Sequence, residues 1–242
     1  MRLFCLPHAG GSARRLARVL DARLPGAEVV PLEPAGRGRR WREREYAGWS
    51  EATLDLVQCL TADLGGGEPY GLLGHSVGAL FAYEVAVGLA QRAAQLPALL
   101  VVCGRNPPHH PPQTSLWHAT DLPDEELFAV LVRLGGASPR AAGPLTYHTF
   151  LSALRNDLRL AATYPSRALA PLPVPVVALY GRDDPLTSGP LMPEWGHYTT
   201  AAFAVHECRG GHFFPLDRAD EVADAIERHF DSPHATSANK AR

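Results

Sequence analysis

The sequence predicts an α/β fold with a mostly parallel central sheet and helices on both faces. Short apolar segments, too short for helices, alternate along the chain with longer segments in which apolar residues recur at helical spacing. This alternation is typical of strand–helix–strand units, whose parallel strands are buried on both sides. A chain of 242 residues, 46% of them hydrophobic, is the size of one such domain.

Six segments are predicted to be strands: Leu3 to Pro7, Glu28 to Leu32, Tyr70 to Leu73, Leu99 to Val102, Val176 to Tyr180 and Phe203 to Val205. The helices predicted between them are Ala13 to Leu24, Gly48 to Leu64 and Ala79 to Ala90. Ser50 is the predicted N-cap of the second helix.

The strand–helix alternation stops between about residues 107 and 170. A loop rich in proline and histidine is followed by two predicted helices, Asp124 to Leu134 and Leu145 to Thr163, with no strand between them. We expect this insertion to form a lid over the carboxyl ends of the strands, where open α/β sheets bind ligands, although a helical decoration unrelated to access is the alternative. We therefore predict a single domain over residues 1–230 and a disordered polar tail over 231–242.

Charge and composition argue against several classes of function. The 23 Lys+Arg and 25 Asp+Glu residues nearly cancel, so nothing favours nucleic acid or an anionic membrane as a partner. The N-terminus lacks a signal-peptide pattern and no apolar stretch is long enough to span a bilayer, which predicts a cytoplasmic protein. Cys5, Cys59, Cys103 and Cys208 lack metal-site spacing, so neither disulfides nor a structural zinc site is expected.

The segment around Ser76 carries the most specific chemical signal. Gly74-His75-Ser76-Val77-Gly78 follows a predicted strand and precedes a predicted helix, the order that a nucleophile elbow requires. The two glycines are needed because a serine held in this strained turn leaves no room for Cβ atoms two positions to either side. Ser76 is therefore the candidate nucleophile, and His75 is expected to point away from it.

A serine nucleophile needs a histidine base and a carboxylate that orients the histidine. In enzymes with a nucleophile elbow, the carboxylate and then the histidine follow the serine in the chain. His212, flanked by glycines after the last predicted strand, is the candidate base. Asp183 and Asp184 both lie on the loop after the fifth predicted strand. Asp184 is preferred because it stands immediately before Pro185, in a turn that can direct its side chain toward the histidine loop; Asp183 remains the alternative.

Acyl-transfer chemistry also needs donors for an oxyanion. The N–H of Val77, at the start of the helix after the elbow, is one candidate. The glycine turn at residues 8–11 ends the first predicted strand and offers the second donor, Ala9. The turn could equally be an ordinary strand–helix connection, and it lacks the lysine and the spacing of a nucleotide-binding loop.

Taken together, these features resemble the stand-alone type II thioesterases of polyketide and non-ribosomal peptide biosynthesis. The matching segments are Leu3 to Ala13, Gly74 to Ala79, Asp121 to Leu127, Leu134 to Gly136, Leu154 to Leu158 with Tyr164, Gly181 to Pro185, and Gly210 to Phe214. The resemblance implies an α/β-hydrolase fold with a helical lid. It also implies hydrolysis of acyl groups from the phosphopantetheine arm of a carrier protein, which clears stalled or misprimed chains. Neither a metal nor a cofactor is expected, apart from the phosphopantetheine that the substrate carries.

Two features depart from the family pattern. The family commonly has Pro-Gly-Arg near the second strand, whereas this chain has Pro34-Ala35-Gly36-Arg37, and the chain begins almost at the first glycine-turn strand. The arginines that follow, Arg37, Arg39, Arg40, Arg42 and Arg44, could form either a docking site for an acidic carrier protein or an ordinary solvated loop.

The candidate residues leave other functions open. The same serine, histidine and aspartate could serve an esterase or an acyltransferase, since the identity of the acceptor depends on which nucleophile reaches the acyl-enzyme. A catalytically idle hydrolase fold that acts as a binding partner is an alternative from a different class, against which the intact set of residues argues.

Overall fold

The computed structural model describes residues 1–110, 120–136, 144–165 and 171–230, with backbone alone for residues 144–146. The predicted disordered tail, residues 231–242, and parts of the predicted insertion lie outside the described residues.

The predicted parallel sheet is confirmed. Its six strands are β1 (Arg2–Leu6), β2 (Glu28–Pro31), β3 (Tyr70–His75), β4 (Leu99–Cys103), β5 (Val176–Gly181) and β6 (Phe203–Cys208). Every neighbouring pair is parallel, in the spatial order β2-β1-β3-β4-β5-β6. All six carboxyl ends therefore meet at one edge, and the loops that carry the candidate residues leave the sheet there.

The helices are α1 (Ala13–Asp21), α2 (Trp49–Asp63), α3 (Val77–Gln91), α4 (Asp124–Arg133), α5 (Pro144–Ala162), α6 (Phe214–Asp217) and α7 (Ala219–Phe230), with a 3₁₀ segment at Gly189–Tyr198. Alternating strand side chains divide the core into two layers, as the pleat requires. Phe4 and Leu6 pack on the side of α2 and α3, whereas Leu3 and Cys5 pack on the side of α1 and α7. Both faces of the sheet are thus covered.

The predicted N-cap of α2 is wrong by two residues. The helix begins at Trp49, so Gly48 occupies the cap position and Ser50 lies within the first turn. Trp49 fixes this start because its indole N–H donates to the carbonyl of Leu160 at 2.6 Å and its ring packs against Phe81. The Glu51 carboxylate, in the first turn, accepts the backbone N–H of Ala47 at 2.6 Å and ties the preceding residues to the helix start.

Helices α4 and α5 lie in the chain between β4 and β5, within a residue or so of their predicted bounds. Leu127 and Leu131 of α4 form an apolar cluster with Leu151 and Leu154 of α5, and Ala9, just after β1, packs against it. The two helices therefore cover the turn that follows β1, at the carboxyl edge of the sheet.

The described residues include no helix that is both long enough and apolar enough to cross a membrane. All four cysteines are free thiols.

Candidate active site

The turn between β3 and α3 has the strained geometry expected of a nucleophile elbow. Ser76 adopts φ 60° and ψ −121°, a backbone conformation that residues other than glycine rarely adopt. A Cβ on Gly74 would lie 2.0 Å from the carbonyl oxygen of Gly78, and one on Gly78 would lie 2.4 Å from that of Pro7. Glycine is therefore required at both positions, which confirms the steric argument made from the sequence.

Three predicted residues, of which Ser76 and His212 are 136 positions apart in the chain, meet at the carboxyl edge of the sheet. The Oγ of Ser76 lies 2.9 Å from Nε2 of His212, and Nδ1 of His212 lies 2.9 Å from Oδ2 of Asp184. Because the carboxylate can only accept, Nδ1 carries the proton and the free lone pair of Nε2 faces the serine hydroxyl. The loops after β5 and β6 bring Asp184 and His212 to this point.

The structure places Asp184, and not the exposed Asp183, against His212. Its Oδ1 accepts the N–H of Leu186 at 2.8 Å and its Oδ2 accepts the hydroxyl of Thr187 at 2.7 Å. Burial acts to raise the pKa of Asp184, but the hydrogen bonds from His212, Leu186 and Thr187 outweigh it and hold that pKa below its ordinary value. Asp184 is thus an oriented, ionised carboxylate.

Two further histidines surround His212. His75 is fully buried, and its Nε2–H donates to the carbonyl of His212 at 2.8 Å. Burial, reinforced by the nearby His212 and His8, lowers the pKa of His75 well below its ordinary value. Burial likewise lowers the pKa of His8 to about 4. Both rings are therefore neutral and add no positive charge beside His212.

The two proposed oxyanion donors are unengaged. Across the described residues, the N–H groups of Ala9 and Val77 donate to no other protein atom. Both residues adjoin the pocket in which Ser76 lies: Ala9 lines that pocket, and Val77 follows the serine at the N-terminus of α3. Free N–H groups at a helix start favour an anion.

Asp157 of α5 was not predicted to be a site residue. Its Oδ2 accepts the N–H of Gly10 at 2.8 Å, and the guanidinium of Arg37 donates to both of its carboxylate oxygens. Asp157 is fully buried and Arg37 nearly so. Asp157 on α5 therefore joins two buried groups, the Gly10 N–H in the turn beside Ala9 and the Arg37 guanidinium in the loop after β2. Asp157 lies in the segment Leu154 to Leu158 that matches the family, but its contact with Gly10, 147 residues away, has no local signal in the sequence.

An apolar cavity of about 50 Å³ adjoins Ser76 and His212. Its lining includes Leu127, Val130, Leu131, Leu134, Leu154, Leu158, Leu186 and Phe213. Four of these, at positions 127, 130, 131 and 134, recur at helical spacing along α4 and its C-cap, a pattern that could have identified this lining from the sequence. The apolar lining suits an aliphatic group of a molecule that reacts at the Ser76 hydroxyl.

The five arginines between residues 37 and 44 do not form one exposed cluster. The expectation of either a docking site or a solvated loop is wrong for Arg37, which is buried. Arg37 is buried against Asp157, and Arg40 donates to Asp55 at 2.7 Å and to Glu43. Arg44 pairs with Glu51 but stays exposed, as do Arg39 and Arg42. The burial of Arg37 is decided by its carboxylate partner on α5, because an unpaired guanidinium could not leave water.

A parallel sheet covered on both faces, with a serine at a strained elbow after β3, an aspartate after β5 and a histidine after β6, defines an α/β-hydrolase. Within that class the chain belongs to the thioesterase domain family, which matches residues 1–230. It is accordingly a hydrolytic enzyme, a thioesterase.

Its relatives include thioesterases of two Streptomyces species. The chain is 34% identical to thioesterase PikA5 of Streptomyces venezuelae over 95% of its own length and 80% of that protein's. It is also 36% identical to a probable cadicidin biosynthesis thioesterase of Streptomyces griseus over 93% of its length and 61% of that protein's.

Solved structures agree with this assignment. ClbQ from the colibactin pathway superposes with a TM-score of 0.86 at 28% identity, over 96% of this chain and 97% of that one. The type II thioesterase BorB from the borrelidin cluster superposes with a TM-score of 0.82 at 32% identity, over 95% and 92%. The resemblance to type II thioesterases noted in the sequence is thus confirmed.

Proposed function

We propose that this thioesterase hydrolyses acyl groups from the phosphopantetheine thiol of carrier proteins and so removes aberrant or stalled chains in polyketide or non-ribosomal peptide biosynthesis. The observation that carries the proposal is the hydrogen-bonded series Ser76–His212–Asp184 beside an apolar cavity. In this proposal Ser76 is the nucleophile, His212 the base and Asp184 the group that orients the base.

The first half-reaction transfers the acyl group to Ser76. His212 Nε2 takes the hydroxyl proton as Oγ attacks the thioester carbonyl, and the N–H groups of Ala9 and Val77 stabilise the oxyanion. The tetrahedral intermediate then collapses with cleavage of the C–S bond. The pantetheine sulfur leaves with the proton from His212, and Asp184 stabilises the imidazolium while it exists.

The second half-reaction consumes water. His212 removes a proton from a water molecule that attacks the Ser76 ester, the same N–H groups hold the second oxyanion, and Oγ leaves with the proton. The products are a carboxylic acid and free enzyme. Every step uses groups of this chain, the substrate and water, so the proposed reaction includes no cofactor beyond the pantetheine arm of the substrate.

A larger cavity, of about 460 Å³, offers a route for the pantetheine arm. It shares His8 with the apolar cavity beside Ser76 and extends along Arg15, Trp41 and Thr149. The exposed Arg39 and Arg42 lie in the chain beside Trp41. A carrier protein of acidic surface would approach from this side, with its arm reaching past His8 and its acyl group in the apolar cavity.

Intact-mass analysis of an acyl-loaded carrier protein tests the function. The wild type should convert the carrier to its free-thiol mass and release the carboxylic acid, whereas Ser76→Ala should leave it loaded. Ser50→Ala, which changes an exposed serine on α2, is the matched control and should behave as the wild type. A carrier that stays loaded with the wild type, while a small oxygen ester is cleaved, would refute the carrier-protein assignment. An acyl group recovered on an added amine or thiol would show a transferase.

The approach surface is tested separately. Arg39→Glu together with Arg42→Glu should lower kcat/KM for the carrier-bound thioester and leave a small acyl thioester unaffected. Arg23→Glu with Arg228→Glu introduces the same charge change on exposed residues that line neither cavity, and should have little effect on either substrate. Equal losses on both substrates in the first variant would exclude docking at this surface.

A further inference from the structure

A cluster of three histidines and one glutamate lies outside the candidate active site. His109 and His110 follow β4, while Glu194 and His197 belong to the 3₁₀ segment after β5. Because β4 and β5 are neighbouring parallel strands, their carboxyl ends bring the two segments together. None of the four residues lines the cavity beside Ser76.

Donor atoms of all three histidines lie near the carboxylate of Glu194. Oε2 of Glu194 lies 2.8 Å from Nε2 of His109 and 2.7 Å from Nε2 of His110. One donor atom each from His109, Glu194 and His197 lie within 4.8 Å of one another. Imidazole nitrogen and carboxylate oxygen are ligands that Zn²⁺ and similar transition-metal ions accept.

The backbone under the cluster is held in place. Glu194 and His197 are three residues apart in a 3₁₀ segment, where such positions eclipse and therefore share a face. Trp195 between them is fully buried, and its indole N–H donates to the carbonyl of Arg105 at 2.8 Å. On the other side, the N–H of His110 donates to the carbonyl of Pro107 at 2.9 Å and closes a turn.

An outer partner for one ligand is also in place. The hydroxyl of Tyr198, a largely buried residue, lies 2.7 Å from Nδ1 of His109. Histidines that bind metals characteristically use their second ring nitrogen for such a hydrogen bond, which fixes the ring and its tautomer. Nε2–H of His109 donates to Glu194 here, so a bound metal would replace this proton while Nδ1–H donates to the Tyr198 hydroxyl.

We propose that His109, His110, Glu194 and His197 form a binding site for a divalent transition-metal ion, best matched by Zn²⁺. Tetrahedral coordination at metal–ligand distances of about 2.0–2.2 Å places neighbouring ligand atoms about 3.4 Å apart. The partly exposed side chains of His109, His110 and Glu194 would rotate to reach that spacing on binding the ion. Four protein ligands leave no open position, so the ion would be structural and would tie the beginning of the β4–α4 connection to the 3₁₀ segment.

Titration of metal-free, untagged protein with Zn²⁺ in a calorimeter tests the site. We expect one Zn²⁺ per chain, and at least tenfold weaker binding in His109→Gln/His110→Gln and in Glu194→Gln. His206→Gln/His229→Gln removes another pair of histidines, whose Nε2 atoms lie 2.8 Å apart, and should leave the affinity unchanged. Circular dichroism would establish that each variant is folded.

Substitution with Co²⁺ gives a second readout that does not depend on enzymatic activity. A bound Co²⁺ with the intense visible absorption of tetrahedral coordination, lost in the His109→Gln/His110→Gln variant, would support the assignment. The proposal is overturned if the wild type fails to bind Zn²⁺, if binding is unaffected by the cluster variants, or if it is the His206→Gln/His229→Gln variant that loses it.

Discussion

The carboxylate of Asp157 accepts the backbone N–H of Gly10 at 2.8 Å, which attaches α5 to the turn that carries Ala9. The same carboxylate neutralises the buried guanidinium of Arg37. One side chain thus joins the basic loop, the helix over the active site and the proposed oxyanion turn. Burial acts to lower the pKa of Arg37, but the charge of Asp157 outweighs it and holds that pKa above its ordinary value.

Replacing Asp157 with Asn should impair both stability and catalysis. Removing one partner of a buried ion pair costs about 3–5 kcal/mol, because the remaining charge is left buried and uncompensated. We expect a loss of that size in the free energy of unfolding, measured by denaturant titration. In conditions where the variant is folded, kcat for a small acyl thioester should fall, by less than the about 10²–10³ that follows loss of an oxyanion donor.

Asp124→Asn is the matched control, since Asp124 pairs with Arg155 at a more exposed position. Such surface pairs contribute about 0–1 kcal/mol. Normal kcat in folded Asp157→Asn would show that the Gly10 contact does not position the oxyanion turn.

Asp184→Asn should lower kcat by about 10⁴, because the amide no longer selects the histidine tautomer whose free lone pair faces Ser76. Asp183→Asn changes the adjacent, exposed carboxylate and should leave kcat within a few-fold of the wild type. Steady-state kinetics on one small thioester compares the two variants directly. A larger loss in Asp183→Asn than in Asp184→Asn would contradict the assignment.

Gly78→Ala should destabilise the fold, because the added Cβ would lie 2.4 Å from the carbonyl oxygen of Pro7. Overpacking of this kind costs about 1–3 kcal/mol, and the shift of the elbow should also reduce kcat. Gly66→Ala adds a methyl group with no atom within 4 Å and should be tolerated. Thermal denaturation gives the comparison, and equal melting temperatures for the two variants would contradict the steric argument.

The buried His75 should make stability fall in mild acid. Above about pH 6.5 the ring is neutral in both the folded and the unfolded chain, so it contributes no pH dependence. As pH falls below that value the unfolded chain binds a proton that the folded protein excludes, because burial depresses the pKa of His75. The contribution reaches at most about 1.4 kcal/mol per pH unit.

His75→Gln removes this titration while the amide N–H₂ can still donate to the carbonyl of His212. The free energy of unfolding of this variant should therefore depend less steeply on pH between 6 and 5 than that of the wild type. Denaturant titrations at several pH values give both slopes. Equal slopes for the wild type and His75→Gln would mean that His75 has the same pKa in the folded and unfolded chains.

Much of the fold followed from local patterns. The strands from β1 to β5 lie within two residues of their predicted bounds, and β6 extends three residues beyond its predicted end at Val205. The N-cap of α2 was misplaced because a tertiary contact, that of Trp49 with Leu160, sets the helix start. The N-cap preference of serine, on which the prediction at Ser50 rested, contains no information about that contact.

The sequence by itself determined the order of strands and helices along the chain, the elbow at Ser76, the candidate base His212 and the adjacent pair Asp183 and Asp184, because each depends on residues close together in the chain. Only the tertiary structure decided that Asp184 and not Asp183 faces the histidine, that Arg37 is buried on Asp157, and that His109 meets Glu194. These choices depend on side-chain direction and on contacts across 28 to 120 residues of chain. Contacts between residues so far apart in the chain are set by the packing of the whole sheet and its helices, and they leave no periodic signal in the sequence.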